Sequence, residues 1–311
     1  MSQALIFSGQ GSQYVGMARD ISDHYPEVAS IITKANTIVG YNLSSVMFNG
    51  PDDVLRQTKY TQPALFLHEA AILEVTKAHQ NVSAVAGHSL GEYSALYAAG
   101  VLSFDDALQL VQLRANLMFS EGERITGTMV AVVGLDDATV RAVCEEVSSG
   151  PNAIVVPANF NSPGQVVVSG SADHLRLVMP VFKERGAKLV KELQVSGAFH
   201  SPLLQAAESA LAERIRATPF NNAAVPVYVN VSAQPVTQAE DLRESAIRQL
   251  TQPVLWTDTM NNMWSHGITS FCEIGPGKVL QGLVKRTLEG AVVRGVDTLA
   301  DIERELAGAS S

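Results

Sequence analysis

Ser89 stands at the centre of Gly87-His88-Ser89-Leu90-Gly91, a setting that offers its hydroxyl to chemistry. The preceding Val82-Ser83-Ala84-Val85-Ala86 is small and β-branched and reads as a short buried strand. Glu92 to Ala99 reads as a helix that stops at Gly100. Gly-x-Ser-x-Gly on a strand-to-helix turn is the nucleophile elbow, whose glycines leave room for a strained turn that lifts the serine out. At the start of the following helix, free backbone N–H groups and the helix dipole favour developing negative charge. Three fixed positions in five also match by chance, but the strand before and the helix after argue against that here.

A serine nucleophile needs a base, and seven histidines compete for the role. His24, His79, His174 and His266 lie in polar or helix-end contexts and read as solvated surface residues. His68 lies in a largely apolar helix and reads as a core histidine, and His88, as a neighbour on the elbow, points away from the serine. His200, in the small-residue loop Ser196-Gly197-Ala198-Phe199-His200-Ser201-Pro202, is the best base. The usual hydrolase order places an acid between serine and histidine. Asp105, Asp106, Asp136, Asp137 and Asp173 fall in that interval, but each reads as a helix N-terminal or loop residue, so the triad acid is missing.

Two further features bear on the reaction. Gly9-Gln10-Gly11 lacks the Gly-Lys-Ser/Thr of a phosphate-binding loop, and Tyr14 stands where a dinucleotide fingerprint wants glycine. A tight glycine turn there suits a backbone N–H aimed at an oxyanion, paired with the N–H of Leu90. Arg114 follows apolar residues in a helix downstream of the elbow, and two roles stay open for it. It either snorkels from an amphipathic helix or takes part in the chemistry of the site.

These residues must be carried by a large framework. The 311 residues are 46% hydrophobic, enough for one large domain or two unequal ones. Net charge is −9 and no basic run interleaves with aromatics, which argues against nucleic-acid binding. No signal peptide and no apolar run of ~20 residues is legible, so no membrane is expected. Two cysteines, Cys144 and Cys272, fit a reducing, cytoplasmic compartment and make neither a disulfide framework nor a metal site.

Strand-like and helix-like segments alternate, which predicts an α/β fold with a parallel sheet. Strands are expected at 4–7, 82–86, 227–231 and 270–274, with helices near 27–39, 63–79, 104–120, 241–250 and 256–266. Between them, 128–135, 137–148, 153–160, 165–169, 172–185 and 188–195 read β-α-β-β-α-β, a ferredoxin-like unit. The expected organisation is a large α/β-hydrolase-like subdomain formed by 1–124 and 198–311, with a ferredoxin-like small subdomain, 125–197, inserted in it.

Five blocks occur in order: Phe7-Ser8-Gly9-Gln10-Gly11-Ser12-Gln13, Gly87-His88-Ser89-Leu90-Gly91-Glu92, Asn159 to Gln165, Gly197 to Pro202, and Glu273 to Leu280. Together, from residue 4 to about residue 286, they resemble the malonyl-CoA:acyl-carrier-protein transacylase family. The resemblance implies ping-pong acyl transfer for fatty acid biosynthesis, without a cofactor or a metal. Ser89 would hold malonate as an ester, with His200 as base, and the phosphopantetheine thiol of acyl carrier protein would take the acyl group. It also implies the backbone N–H groups of Gln10 and Leu90 as oxyanion donors, Arg114 as the carboxylate-binding residue and the main-chain carbonyl of Gln249 as the group that orients His200. Ser8 departs from the family's Phe-Pro-Gly-Gln-Gly and gives up a fixed backbone angle, while both glycines stay. Phe199 resembles the malonyl-accepting pattern of related polyketide acyltransferases, in which methylmalonyl enzymes carry serine.

Three other readings remain in view. A serine thioesterase shares the elbow and the histidine but needs no buried arginine. A binding module without activity would not form an acyl-enzyme. A free-standing acyltransferase serving a polyketide synthase in trans differs only in its carrier. Lys183, Arg185, Lys188 and Lys191, and Lys278, Lys285 and Arg286, form either a docking patch for an acidic carrier or a solvated face.

Overall fold

The computed structural model describes residues 2–150 and 153–309. Its strands are β1 (Ser2–Phe7), β2 (Ala84–Gly87), β3 (Gly127–Val133), β4 (Val155–Ser162), β5 (Gln165–Ser171), β6 (Leu189–Glu192), β7 (Val227–Tyr228), β8 (Pro235–Val236), β9 (Ile268–Ile274) and β10 (Val292–Val296). They form two sheets, one with the order β10-β9-β1-β2-β7-β8 and one with the order β4-β5-β3-β6.

The first sheet is parallel except for the β7–β8 hairpin. β1 lies in its middle, with Leu5 opposite Val85 on one side and Cys272 on the other. Ala4 to Phe7 are fully buried, as expected of a parallel strand covered on both faces. Leu5 and Phe7 enter a core built largely from the helices Pro26–Val39, Thr58–Thr76 and Phe104–Arg124. Ala4 and Ile6 enter a second core with Trp256, Met260, Leu280 and Leu283. The turns after β1, β2, β7 and β9 leave from the carboxyl edge of this sheet, where open α/β sheets bind ligands.

The second sheet is antiparallel throughout and carries the expected β-α-β-β-α-β order, with helices Asp137–Val147 and Ala172–Glu184. Alternation along its strands sorts the side chains. Val130, Val132, Val166 and Val168 form a core with Val143, Leu175 and Phe182, while Met129 and Val167 face the opposite way and join the large core.

Several elements depart from the sequence expectation. The strand expected at 227–231 ends at Tyr228, because the chain turns at Asn230–Ser232 to return antiparallel as β8. The helix expected from 63 begins at Thr58 and runs through Pro63, and the Lys59 carbonyl, which Pro63 cannot serve, accepts from the Tyr41 hydroxyl at 3.4 Å. Among the described residues no helix is long and apolar enough to cross a membrane.

Candidate active site

The elbow is built as the glycine spacing requires. Ser89 has φ 53°, in the left-handed region that costs a non-glycine residue ~1–2 kcal/mol. A Cβ on Gly87 would collide with the Gly91 carbonyl, and one on Gly91 would collide with the Phe7 carbonyl, so neither position admits a side chain. The turn is fastened from the loop after β7: Ser89 N–H donates to Asn230 Oδ1 at 2.8 Å, and Asn230 Nδ2 donates to the Gly87 carbonyl at 2.7 Å. Asn230 is placed in turn by Glu92, whose Oε2 accepts its N–H at 2.6 Å. Burial pushes the Glu92 carboxyl up to about 7.

Ser89 Oγ lies 2.8 Å from His200 Nε2. His200 Nδ1 faces two carbonyls, Gln249 O at 2.9 Å and Gln252 O at 3.2 Å. Carbonyls only accept, so Nδ1 carries the proton and Nε2 keeps its lone pair for the serine hydroxyl. Burial, reinforced by the Arg114 charge, presses the His200 pKa down to about 3. The imidazole is therefore neutral and ready to take a proton.

Arg114 is completely buried, on the helix Phe104–Arg124. Its Nη1 donates to Gln62 Oε1 at 2.7 Å; its Nη2 donates to Gln249 Oε1 at 3.0 Å and to Ser89 Oγ at 3.0 Å. Every one of these partners is neutral, and Nε has none. Burial accordingly pulls the guanidinium down from its ordinary value. Snorkelling is excluded, since no part of the side chain reaches water.

The N–H groups of Gln10 and Leu90 donate to no protein acceptor among the described residues, and both residues line the cavity that contains Ser89 and His200. That cavity, of about 260 Å³, lies between the two sheets. Its floor comes from the turns after β1 and β2, and its walls include Met129, Val167, Phe199 and Leu283. Phe199, the residue before the base, is buried and lines the cavity. Arg286 reaches the rim from the helix Val279–Thr287.

The structure thus brings Ser89, His200, Arg114, Gln10, Leu90 and the Gln249 carbonyl to one place. The five aspartates weighed as triad acids lie elsewhere. Asp136 caps its helix through Thr139, Asp137 is the first residue of that helix, Asp106 bonds Ser103, Asp105 pairs with Lys34, and Asp173 is exposed. His88 is half-buried and bonds Asn161 Oδ1 at 2.8 Å, which joins the elbow to the second sheet. His24 and His266 are exposed, whereas His174 is partly buried and meets the Val147 carbonyl at 2.7 Å. Gln62, Asn230, Glu92 and Gln252 were not singled out by sequence. The one available signal was Gln62, a polar residue directly before the apolar run Pro63 to Leu67.

Comparison with known proteins agrees with this geometry. Residues 4–308 match the acyl transferase domain. The chain is 40% identical over 288 residues to the malonyl CoA-acyl carrier protein transacylase of Escherichia coli, covering 92% of this chain and 93% of that one. An acyl carrier protein S-malonyltransferase crystal structure from Vibrio cholerae superposes with a TM-score of 0.92 at 38% identity, over 98% of this chain and 99% of that one. A malonyl-transacylase in complex with its type II PKS acyl-carrier protein gives the same TM-score of 0.92 and 38% identity, over 99% and 100%. The chain belongs to the malonyl CoA-acyl carrier protein transacylases of the acyl transferase domain family.

Proposed function

We propose that the protein moves a malonyl group from malonyl-CoA to the phosphopantetheine thiol of acyl carrier protein, in the cytoplasm, through a malonyl ester on Ser89. The observation that carries the proposal is Arg114: a buried cation, bonded only to neutral groups, 3.0 Å from the nucleophile. Such a charge is costly until an anion joins it, and a carboxylate fits the guanidinium fork in bidentate fashion. A malonyl thioester brings that carboxylate and places its carbonyl at Ser89.

Ser89 Oγ attacks the thioester carbon and passes its proton to His200 Nε2, while Nδ1–H stays on the Gln249 and Gln252 carbonyls. The carbonyl oxygen, now negative, takes the N–H groups of Gln10 and Leu90. The C–S bond breaks, and the departing CoA sulfur recovers the proton from His200. The carrier thiol then enters, gives its proton to His200 and attacks the ester, and Ser89 leaves with that proton. Neutral carbonyls stabilise the transient imidazolium less than a carboxylate would, and Nε2 gives the proton up readily at each half-reaction. Phe199 against the acyl pocket favours malonyl over methylmalonyl, a difference of ~1–3 kcal/mol for one methyl group. Residues 125–197 act as the subdomain that closes the cavity from above, contributing Met129 and Val167.

A thioesterase has no use for the buried cation, which is why transfer is preferred over hydrolysis. The likeness to a polyketide-associated transacylase supports the same chemistry with another carrier, so the acceptor is assigned by competition between fatty acid and polyketide carriers. The test of the reaction is intact-mass analysis. Malonyl-CoA should add one malonyl group, carrier protein should remove it, and Ser89→Ala should never acquire it. Undiminished labelling of Ser89→Ala would end the proposal.

A further inference from the structure

The two oxyanion donors belong to different elements, Gln10 to the turn after β1 and Leu90 to the elbow, so their separation must be set by something that touches both. A side chain in contact with both elements is Glu69, fully buried on the helix Thr58–Thr76. Ser8 Oγ, two residues before Gln10, donates to Glu69 Oε1 at 2.7 Å. Ser94, on the helix that starts at Gly91, lies beside the same carboxyl group without an aligned hydrogen bond, and Glu69 Oε2 is left without a partner. The Gly275 turn after β9 closes over the pair so tightly that a Cβ there would strike both Ser8 Oγ and Glu69 Oε1. From the other side, Gly91 packs on the Phe7 and Ser8 carbonyls. The far end of the turn is held separately, by Tyr14 donating to Asp297 at 3.0 Å.

Resting on the reading of Gln10 and Leu90 as oxyanion donors, we propose that Glu69 is a positioning residue for acyl transfer. Its carboxyl group holds the end of β1 through the Ser8 hydrogen bond while it packs beside Ser94 of the elbow helix, and so fixes the spacing of the two donors. Burial pushes this carboxyl up to about 8, so at neutral pH it is an uncharged acid. It therefore sets no negative charge beneath a site built for an oxyanion. A protonated carboxyl also has a donor to offer the Ser94 hydroxyl while it accepts from Ser8.

The experiment measures two rates in the full chain: malonylation of Ser89 by malonyl-CoA, and its reaction with an alkyl fluorophosphonate, which needs the oxyanion donors but no carboxylate. Glu69→Leu should slow both by about tenfold or more, up to the ~10²–10³-fold that losing one donor outright costs. KM for malonyl-CoA should stay within about twofold, because the groups that hold the substrate are untouched. Glu69→Gln, neutral and still able to accept from Ser8, should restore both rates to within about threefold of wild type. Ser8→Ala should slow both rates as well, and it decides the matter if Glu69→Leu does not fold. Fluorophosphonate rates unchanged in Glu69→Leu and Ser8→Ala, or a glutamine variant as slow as leucine, would overturn the proposal. A wild type that fails to react with the phosphonate would instead overturn the reading of the site itself.

Discussion

His200 is poised by what it faces. Two carbonyls fix its tautomer, and burial beside Arg114 presses its pKa down to about 3. The base therefore stays unprotonated through the range in which an ordinary histidine, near 6.5, takes up a proton. Acylation measured as kcat/KM should show no acid limb between about pH 5 and 7, and a limb near 6.5 would contradict this assignment. His200→Ala should slow acylation by about 10²–10⁴-fold. Ser89 and His200 were legible because each sits in a short pattern with a mechanical reason. Arg114 was half legible, since a helical arginine after apolar residues looks the same whether it snorkels or is swallowed. Gln62 and Asn230 were not legible: they meet Arg114 and Ser89 across 52 and 141 residues, and no local pattern records such a meeting. The Gln249 carbonyl came from resemblance alone, because every residue has one.

Among elements, the β-α-β-β-α-β order was readable because its helices and strands have clean periods. β10 was not readily seen, for Val292-Val293-Arg294-Gly295-Val296 sets an arginine and a glycine in a short edge strand. β7 is shorter than its sequence suggests, for Val229 and Val231 suit a strand whereas Asn230 serves the elbow. The basic residues divide by element. Arg185 pairs with Glu146 at 2.5 Å and Lys183 binds the Lys188 carbonyl, so that group is partly occupied among the elements around the second sheet. Lys278, Lys285 and Arg286 are exposed on or beside the helix Val279–Thr287, which borders the cavity. Arg286→Ala should lower kcat/KM for the carrier protein and flatten its salt dependence, while transfer to free pantetheine changes little. Equal losses with both acceptors would place Arg286 outside carrier docking.

The whole molecule hides an unusual set of titratable groups, and its stability should register them. Burial raises the carboxyls of Glu69, Glu92 and Glu273 to about 8, 7 and 7. The native state therefore keeps protons that the unfolded chain releases near 4.5, so these groups lower stability as pH rises from about 4.5 until they ionise in the fold at about 7–8, above which their effect levels off. His200 has the opposite sign: its depressed value makes acid destabilising below about 6.5, and above that pH it is silent. Unfolding free energies from urea titrations, and the midpoints with them, should thus fall between about pH 6.5 and 8, by up to about 1.4 kcal/mol per pH unit for each proton still retained, and level off above 8. A flat or rising midpoint would mean that these carboxyls are ionised inside the fold. The same interior holds Arg114, a buried cation with neutral partners, and on that charge the malonyl assignment depends. The most direct measurement is kcat/KM for malonyl-CoA and for acetyl-CoA with wild type and Arg114→Ala. Loss of the guanidinium leaves the malonyl carboxylate desolvated and unpaired, which costs ~2–5 kcal/mol, or about 30- to several-thousand-fold. Acetyl-CoA, which has no carboxylate, should lose little, so the preference for malonyl collapses. If both substrates fall together and the preference survives, Arg114 does not hold the carboxylate.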